Sequence, residues 1–322
     1  MEPRRVPSFF MLVPGPWRDA DEVQRALRAR DVSAEIAQSG PIKPREVRVD
    51  VVEDGRLAAA FRWGRSGTLA EDLLKRIAPC TRAALIEYGS RLDESPADVA
   101  RLGRALRDAG GVAVRMEASG AASAWDSWLE HLESSDRSRL YTCAVLLVRD
   151  DDGGIFTCGM HHFDLPDAQI KTEEPAEGTS WLDAFCVYQI VEQPALLSGH
   201  TFRPSAEASR RTLERWPDHR HRPNDGRHNP FGVWRFLEPG AHGIEATQTV
   251  PVIIPPLVAV LLAAERSAGH ALTPAEVEEI VDKSPAIALA PATVAELERS
   301  RGYADIEPEL AWEQWQIVRK TM

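Results

Sequence analysis

Helix-start signals recur along this chain and divide it into alternating elements more firmly than any other feature. An Asp, Ser or Thr followed three residues later by an acidic side chain can bond the free N–H groups of a first helical turn. The six pairs of this kind are Asp19 with Glu22, Thr68 with Glu71, Ser95 with Asp98, Ser123 with Asp126, Ser180 with Asp183, and Thr273 with Glu276. In two of them a proline follows at the first helical position, where its missing N–H is not needed. The pairs predict six helices with strands between them.

Runs of β-branched and aromatic residues between these helix starts predict seven strands. They lie at residues 9–13, 47–52, 57–63, 83–88, 112–116, 141–148 and 155–161. Tight-turn sequences follow the second and the sixth run, Glu-Asp-Gly at 53–55 and Asp-Asp-Asp-Gly-Gly at 150–154. We therefore expect two hairpins.

The order strand, helix, hairpin, helix, strand occurs in residues 9–88 and again from residue 112 to about residue 202, and it is the order of the split βαβ arrangement. We predict an α+β fold with two ferredoxin-like halves and antiparallel sheets, at residues 1–94 and 95–240, the second half including a connecting helix. Residues 203–241 are rich in Arg, His, Pro, Asn and Gly, which predicts a long loop. Residues 241–322 predict a helical C-terminal tail.

Charge and cysteine content exclude several classes of protein. The 322 residues carry 49 acidic and 38 basic side chains, a net charge of -11 that disfavours a nucleic-acid partner. The four cysteines form no Cys-x-x-Cys pair, so neither a disulfide framework nor a thiolate zinc site is indicated. The apolar runs at 9–13 and 252–264 are too short for a secretory signal or a membrane helix. We expect a cytoplasmic protein with no membrane partner and no cofactor.

Seven of the nine histidines fall between residues 161 and 242, and such clustering is associated with metal binding or proton transfer. His219, His221 and His228 are weak candidates for metal ligands. Neighbouring arginines oppose a cation there, so hydrogen-bonded loop histidines are the favoured interpretation. His161 and His162 are adjacent at the end of a predicted strand, where their side chains should point to opposite sheet faces.

The segment from Arg203 to Arg235 holds eight arginines and four acids among large aromatic residues, a basic island on an acidic protein. An anion-binding sensor is one hypothesis, because guanidinium groups donate paired hydrogen bonds and aromatic rings stack. Its candidate ligand-binding residues are Arg220, Arg222, Arg227 and Trp234. The favoured alternative is that these arginines pair with the acidic C-terminal tail of the same chain.

Sequence motifs for enzymatic chemistry are absent: the chain has no nucleophile elbow, phosphate loop, dinucleotide fingerprint or His-Glu-x-x-His. The remaining enzymatic hypothesis is a hydrolase-like site, with or without a metal, at the turn from Gly159 to Asp167. His161 or His162 would act as the base. Asp164, Asp167 or Glu117 would orient that base or bind the metal.

Two stretches, FFMLVPGPW at residues 9–17 and GMHHFDLPDA at residues 159–168, carry a resemblance to a known family. Through them the chain resembles the bacterial family named domain of unknown function 4261, over about residues 8–240. The resemblance implies a bacterial, soluble protein and supplies no catalytic residues. By analogy with such families we expect a non-enzymatic protein-interaction or immunity-type module. Its protein partner and its oligomeric state are left open.

Overall fold

The computed structural model describes residues 6–63, 69–150, 153–206, 208–223, 225–237, 250–289 and 291–320. Contacts along the backbone divide the chain into two compact units. The first unit consists of Met1–Val148, Thr157–Asp167 and Pro217–Gly232, and the second of Arg149–Phe156, Ala168–Trp216 and Val233–Met322. Each unit is therefore built from segments that are distant in the sequence.

The elements alternate between strands and helices along the whole described chain. Up to residue 171 they are β1 (Phe9–Pro14), α1 (Ala20–Arg28), β2 (Glu35–Ile36), β3 (Val47–Glu53), α2 (Leu57–Trp63), α3 (Glu71–Ile77), β4 (Arg82–Tyr88), α4 (Pro96–Asp108), β5 (Val114–Met116), β6 (Ala122–Ser123), α5 (Trp125–Glu133), α6 (Arg139–Ala144), β7 (Leu146–Arg149), β8 (Gly154–Cys158), a 3-10 helix (Met160–Phe163) and β9 (Asp167–Lys171). There follow α7 (Pro175–Glu192), β10 (Thr201–Arg203), β11 (Arg211–Trp216), β12 (Val233–Leu237), β13 (Val250–Ile253), α8 (Leu257–Ala268), α9 (Pro274–Lys283), β14 (Ala286–Leu289), α10 (Pro291–Arg301), a second 3-10 helix (Pro308–Leu310) and α11 (Ala311–Val318).

β1 lies near the centre of the first sheet, whose strand order is β2-β3-β4-β1-β5-β6. It pairs antiparallel with β4 and β5, so that Met11 lies opposite Ile86 on one side and Met116 on the other. All three side chains are buried, which agrees with a continuous apolar run forming a covered strand. The predicted strands at 9–13, 47–52 and 83–88 are confirmed by β1, β3 and β4.

Residues 57–63 form α2, so the predicted strand there is wrong. Three consecutive alanines favour a helix, and Leu57 and Phe61, four residues apart, are both buried on one face. The first predicted hairpin is therefore not formed, and β3 pairs with β4. Because β4 lies between β1 and β3, the predicted ferredoxin-like arrangement is not confirmed.

Local capping accounts for some helix starts and fails for others. The Asp19 side chain accepts a hydrogen bond from the Glu22 amide at 2.8 Å, and Thr273 and Glu276 form a reciprocal capping box, as predicted. Helix α4 begins at the predicted proline after Ser95, although the Ser95 side chain makes no capping hydrogen bond. The predicted starts at Ser123 and Ser180 are wrong, because α5 begins at Trp125 and α7 at Pro175. Thr68 lies outside the described residues.

The second sheet has the order β13-β14-β10-β11-β12-β9-β8-β7, and two of its strands correct the predicted long loop. β11 and β12 form an antiparallel pair in which Arg215 lies opposite Trp234. The Arg215 guanidinium stands 4.9 Å above the Trp234 ring, and Arg235 stands 4.6 Å above Trp216. These cation–π contacts stabilise a strand pair whose arginine-rich composition is typical of loops.

The predicted helical tail also contributes strands, since β13 and β14 extend the second sheet beside β10. The helices after β13 pack around the fully buried Leu261 and Trp315. The carboxylate of Asp305 accepts hydrogen bonds from the Leu257 and Val258 amides at 2.8 and 3.0 Å, which caps α8.

The chain is a mixed α+β protein with two sheets and eleven α-helices in its described part. The predicted domain boundary at residues 94 and 95 lies inside the first unit, and the one at residues 240 and 241 lies outside the described residues. Of the helices that the structure describes, none is both long and apolar enough to cross a membrane.

Candidate functional site

A sharp turn at Gly159 ends β8 and starts the 3-10 helix that carries the two adjacent histidines. Gly159 has φ +126°, and a Cβ placed there would lie 2.2 Å from the backbone oxygen of Ala144. Only glycine tolerates both conditions. The helix then ends at Asp164, whose φ of 58° is left-handed. The turn thus fixes the direction of both histidine side chains.

His161 and His162 lie side by side, with ring centroids 4.5 Å apart. The expectation that they point to opposite sheet faces is wrong, because they occupy a 3-10 helix and not a strand. His162 is 3% exposed and meets the edge of Phe9 at 6.1 Å. All four ring nitrogens are buried and have no hydrogen-bond partner among the described residues.

Burial keeps both histidines neutral at neutral pH. It lowers the pKa of His161 to about 4, against a smaller opposing effect of the Asp218 carboxylate. It lowers the pKa of His162 well below its ordinary value, and the neighbouring His161 lowers it further. Each neutral ring therefore offers one N–H donor and one acceptor nitrogen.

Asp167 anchors the turn that carries the histidines. Its carboxylate accepts hydrogen bonds from the Thr157 hydroxyl at 3.0 Å, the Met160 amide at 3.2 Å and the Asn229 side-chain amide at 2.7 Å. Burial raises the pKa of Asp167 to about 7 in spite of these bonds. Because Asn229 also donates to the Leu165 carbonyl, this network fastens residues 217–232 to the turn.

A second carboxylate, Asp218, holds residues 217–232 together by hydrogen bonds. It accepts hydrogen bonds from the amides of Arg220 and Asn229, both at 2.9 Å, and lies 3.2 Å from His221 Nδ1. Burial alone would raise the pKa of Asp218, but these hydrogen bonds outweigh it and the pKa is lowered. His228 Nδ1 lies 3.5 Å from the same carboxylate and 3.1 Å from the His221 carbonyl oxygen.

The adjacent histidines and part of this loop line one cavity of about 960 Å³ in the first unit, which we call the histidine cavity. Its lining residues are Val6, Pro7, Ser8, Phe9, Phe10, Trp63, Ser90, Arg115, Glu117, Ala118, Ser119, Gly120, His161, His162, Asp164, Pro223, Asp225, Gly226, Arg227, His228, Pro230 and Phe231.

The cavity gathers six residues that the sequence proposed for separate sites: His161, His162, Asp164, Glu117, Arg227 and His228. Asp167 does not line it, but it accepts a hydrogen bond from the Met160 amide in the turn that carries the histidines. His219, His221, Arg220 and Arg222 are not among the lining residues, and Trp234 belongs to the second unit beneath Arg215.

Each cavity guanidinium is already compensated by a carboxylate. Arg115 Nη1 lies 2.6 Å from Glu117 Oε2, while Arg115 Nε is buried and has no partner in the described chain. Arg227 makes a two-pronged contact to Asp225, at 3.1 and 2.8 Å, and its hydrogen bonds lower the pKa of Asp225. With Asp164 as a further acid, the lining has three carboxylates for two guanidinium groups.

Four aromatic side chains line part of the cavity. Phe9, Phe10, Phe231 and Trp63 all line it, and Trp63 is 62% exposed. Large apolar side chains left on a surface beside polar groups are typical of recognition sites. None of Phe10, Trp63, Arg115, Asp218 or Asn229 was singled out from the sequence. Asp218 and Asn229 carry one detectable signal, since both close Asx turns, a common role of these residues in loops.

Metal and thiol chemistry find no support in this geometry. Among the residues that the structure describes, no group of three or more His, Cys, Asp or Glu side chains is placed to hold a metal ion. The nearby thiol of Cys158 contacts the Ala118 carbonyl at 3.6 Å, and burial raises the pKa of Cys158, so it stays protonated.

Comparison with known proteins found no matching family model, no similar curated protein and no similar solved structure.

Proposed function

We propose that the histidine cavity binds a small, uncharged and partly aromatic organic molecule. The observation that carries this proposal is the pair of buried imidazoles beside the cavity, His161 and His162, whose four ring nitrogens have no hydrogen-bond partner among the described residues. Leaving a buried donor or acceptor unsatisfied costs about 1–3 kcal/mol. Such groups concentrate where a protein binds or transforms something.

The charges of the cavity favour an uncharged ligand over an anion. Arg115 and Arg227 are paired with Glu117 and Asp225, so neither offers an uncompensated positive charge. Asp164 adds a carboxylate to the lining. An anion would therefore find no uncompensated guanidinium in the lining, and the hypothesis of an anion sensor is not favoured.

The aromatic side chains of the lining supply the apolar part of the recognition. Phe10 and Trp63 offer flat apolar faces to a ring, which stacks with a free energy of about 0.5–1.5 kcal/mol per good contact. The neutral imidazoles carry both donors and acceptors, and binding requires that these buried ring nitrogens become accessible to the ligand's polar edge. Acetanilide combines a phenyl ring with one amide donor and one carbonyl acceptor, and is a suitable probe.

Nuclear magnetic resonance tests the proposal through the indole N–H signal of Trp63. We expect acetanilide to shift this signal with a Kd of about 1 mM, the value for a fragment of about ten atoms at about -0.4 kcal/mol per atom. We expect Trp63→Ala to weaken binding about 3- to 10-fold through lost stacking. Leu197→Ala is the matched control, because both side chains are 62% exposed and Leu197 does not line the cavity.

Benzoate, an anion of similar size, should bind at least tenfold more weakly than acetanilide if the charge reasoning is right. Acetanilide that leaves the signals of all cavity residues unmoved would refute the proposal.

A protein partner is the second candidate function, and the exposure of Trp63 is the observation that favours it. Together with this candidate function, we propose that the protein belongs to the family of domain of unknown function 4261, has an immunity-type role and is cytoplasmic. Affinity purification from a bacterial host would support this candidate if a stoichiometric partner is lost with Trp63→Ala and kept with Leu197→Ala.

A further inference from the structure

His228 is placed unlike the other cavity histidines. Its Nδ1 faces the His221 carbonyl oxygen at 3.1 Å and the Asp218 carboxylate at 3.5 Å. These acceptors favour the tautomer that carries the proton on Nδ1. The His228 side chain is 20% exposed, and its Nε2 is neither a buried atom nor hydrogen-bonded to any described residue. Nε2 is therefore a free acceptor on a residue that lines the cavity.

Asp218 is held firmly enough to position this ring. Its side chain is 3% exposed and receives hydrogen bonds from two backbone amides as well as from His221. The His221 carbonyl oxygen at 3.1 Å, with the buried Asp218 carboxylate at 3.5 Å, fixes the tautomer of the His228 imidazole, and enzymes prepare a general base in this way. The arrangement is assembled within residues 217–232 of the first unit.

We propose that His228 is the general base of a hydrolytic site for uncharged carboxylic esters, with Asp218 as its positioning residue. The inference rests on the proposed function, because it requires that the histidine cavity bind an uncharged molecule.

The proposed step uses water as its co-reactant. His228 Nε2 removes a proton from a water molecule while the water oxygen forms a bond to the ester carbonyl carbon. The bond from that carbon to the leaving oxygen then breaks, and the protonated imidazole returns its proton to the leaving alkoxide. Ester and water become carboxylic acid and alcohol, and the base is regenerated.

Two further features favour an ester as the substrate. The Arg115 side chain lines the same cavity, and its guanidinium is a donor for the negative charge that develops on the carbonyl oxygen. No described hydroxyl or thiol is hydrogen-bonded to His228, so the geometry offers activated water and not a covalent nucleophile. Water activated by one imidazole suits the reactive carbonyl of an ester better than that of an amide.

Hydrolysis of phenyl acetate by the full chain tests the inference. We expect saturable turnover with a normal solvent deuterium isotope effect on kcat, and a fall in kcat of about 100-fold in His228→Gln. Asp218→Asn should lower kcat by a larger factor than it weakens acetanilide binding, because it misdirects the base in addition to any movement of the loop. The control is His270→Gln, which removes a histidine that is 57% exposed and outside the cavity.

Acetanilide binding separates this inference from the proposed function, because an amide of the same shape binds without being turned over. Acetanilide binding together with phenyl acetate hydrolysis no faster in the wild type than in His228→Gln overturns the inference and leaves the binding cavity standing. Failure of acetanilide to bind overturns both. A fold check by the amide spectrum of His228→Gln excludes unfolding as the cause of lost turnover.

Discussion

Replacing His162 by phenylalanine should stabilise the first unit. The side chain is 3% exposed, and neither ring nitrogen has a partner among the described residues. Removing one unsatisfied donor and one acceptor regains about 1–3 kcal/mol each, from which a slightly larger ring subtracts about 1–3 kcal/mol by overpacking. The edge contact with Phe9 remains available to phenylalanine. We expect a net gain of about 2 kcal/mol at pH 7.

The effect of His162→Phe on the pH dependence of stability does not depend on how well the phenylalanine ring packs. Burial holds the pKa of His162 well below 6.5 in the folded protein, so only the unfolded chain binds the proton as the pH falls through 6.5. The wild type therefore loses about 1.4 kcal/mol of stability per pH unit below that value through this residue. At pH 5 the loss is about 2 kcal/mol, and His162→Phe does not suffer it. The advantage of the variant should thus grow from about 2 kcal/mol at pH 7 to about 4 kcal/mol at pH 5.

Hydrogen exchange of the β1 and β4 amides in urea measures this effect, because those amides report opening of the first unit alone. A chain with two units does not guarantee a single transition, so a global melting curve would be harder to interpret. His270→Phe, at an exposed histidine, should leave the exchange unchanged. A variant whose advantage stays constant between pH 7 and pH 5 would show that His162 is not a buried neutral histidine.

Three other substitutions test neighbouring features. Gly159→Ala should destabilise the first unit by about 3 kcal/mol or more, because its Cβ would overlap the Ala144 carbonyl at a positive φ. It should also abolish acetanilide binding. Thermal unfolding measures the first effect, and the Trp63 signal measures the second. In the wild type the pKa of Asp167 is raised to about 7, so the folded protein keeps this proton at pH values where the unfolded chain has lost it. The wild type therefore loses about 1.4 kcal/mol of stability per pH unit as the pH rises from 3.8 towards 7. Asp167→Asn should remove this loss. A denaturation series from pH 4 to pH 8 in which this variant shows the wild-type slope would contradict that assignment. Asp305→Ala should cost about 1–2 kcal/mol through loss of the α8 cap, measured by urea denaturation of the second unit, with no effect on the cavity.

Features that depend on neighbouring residues alone were predictable from the sequence. The cap at Asp19 and the box at Thr273 involve contacts within one helical turn, and both are present. The apolar run at residues 9–13 also forms the strand expected of it. In contrast, residues 57–63 combine an apolar run that is compatible with a strand and three alanines that favour a helix, and burial of Leu57 and Phe61 in the core of the first unit decides between the two. Strand β11 was also not predictable, since its pairing with β12 is stabilised by cation–π contacts between residues that are 19 positions apart in the sequence.

In the candidate site, too, some features follow from neighbouring residues and others from contacts between residues far apart in the sequence. Its histidines stood out by clustering, but their mutual position depends on a 3-10 turn that only the close approach of Gly159 to Ala144 imposes. The groups that organise the site, Asp218 and Asn229, resemble ordinary loop residues until their partners are known. Long-range hydrogen bonds of this kind leave no periodic signal in a sequence.

The histidine cavity takes its walls from three stretches of chain, residues 6–120, 161–164 and 223–231. A fragment that ends at residue 148 holds Arg115 and Trp63 but neither the adjacent histidines nor His228. During synthesis, the binding surface is therefore incomplete until translation has passed residue 231. Any ligand that binds there recognises only chains that have been synthesised past residue 231, and its binding stabilises the folded first unit.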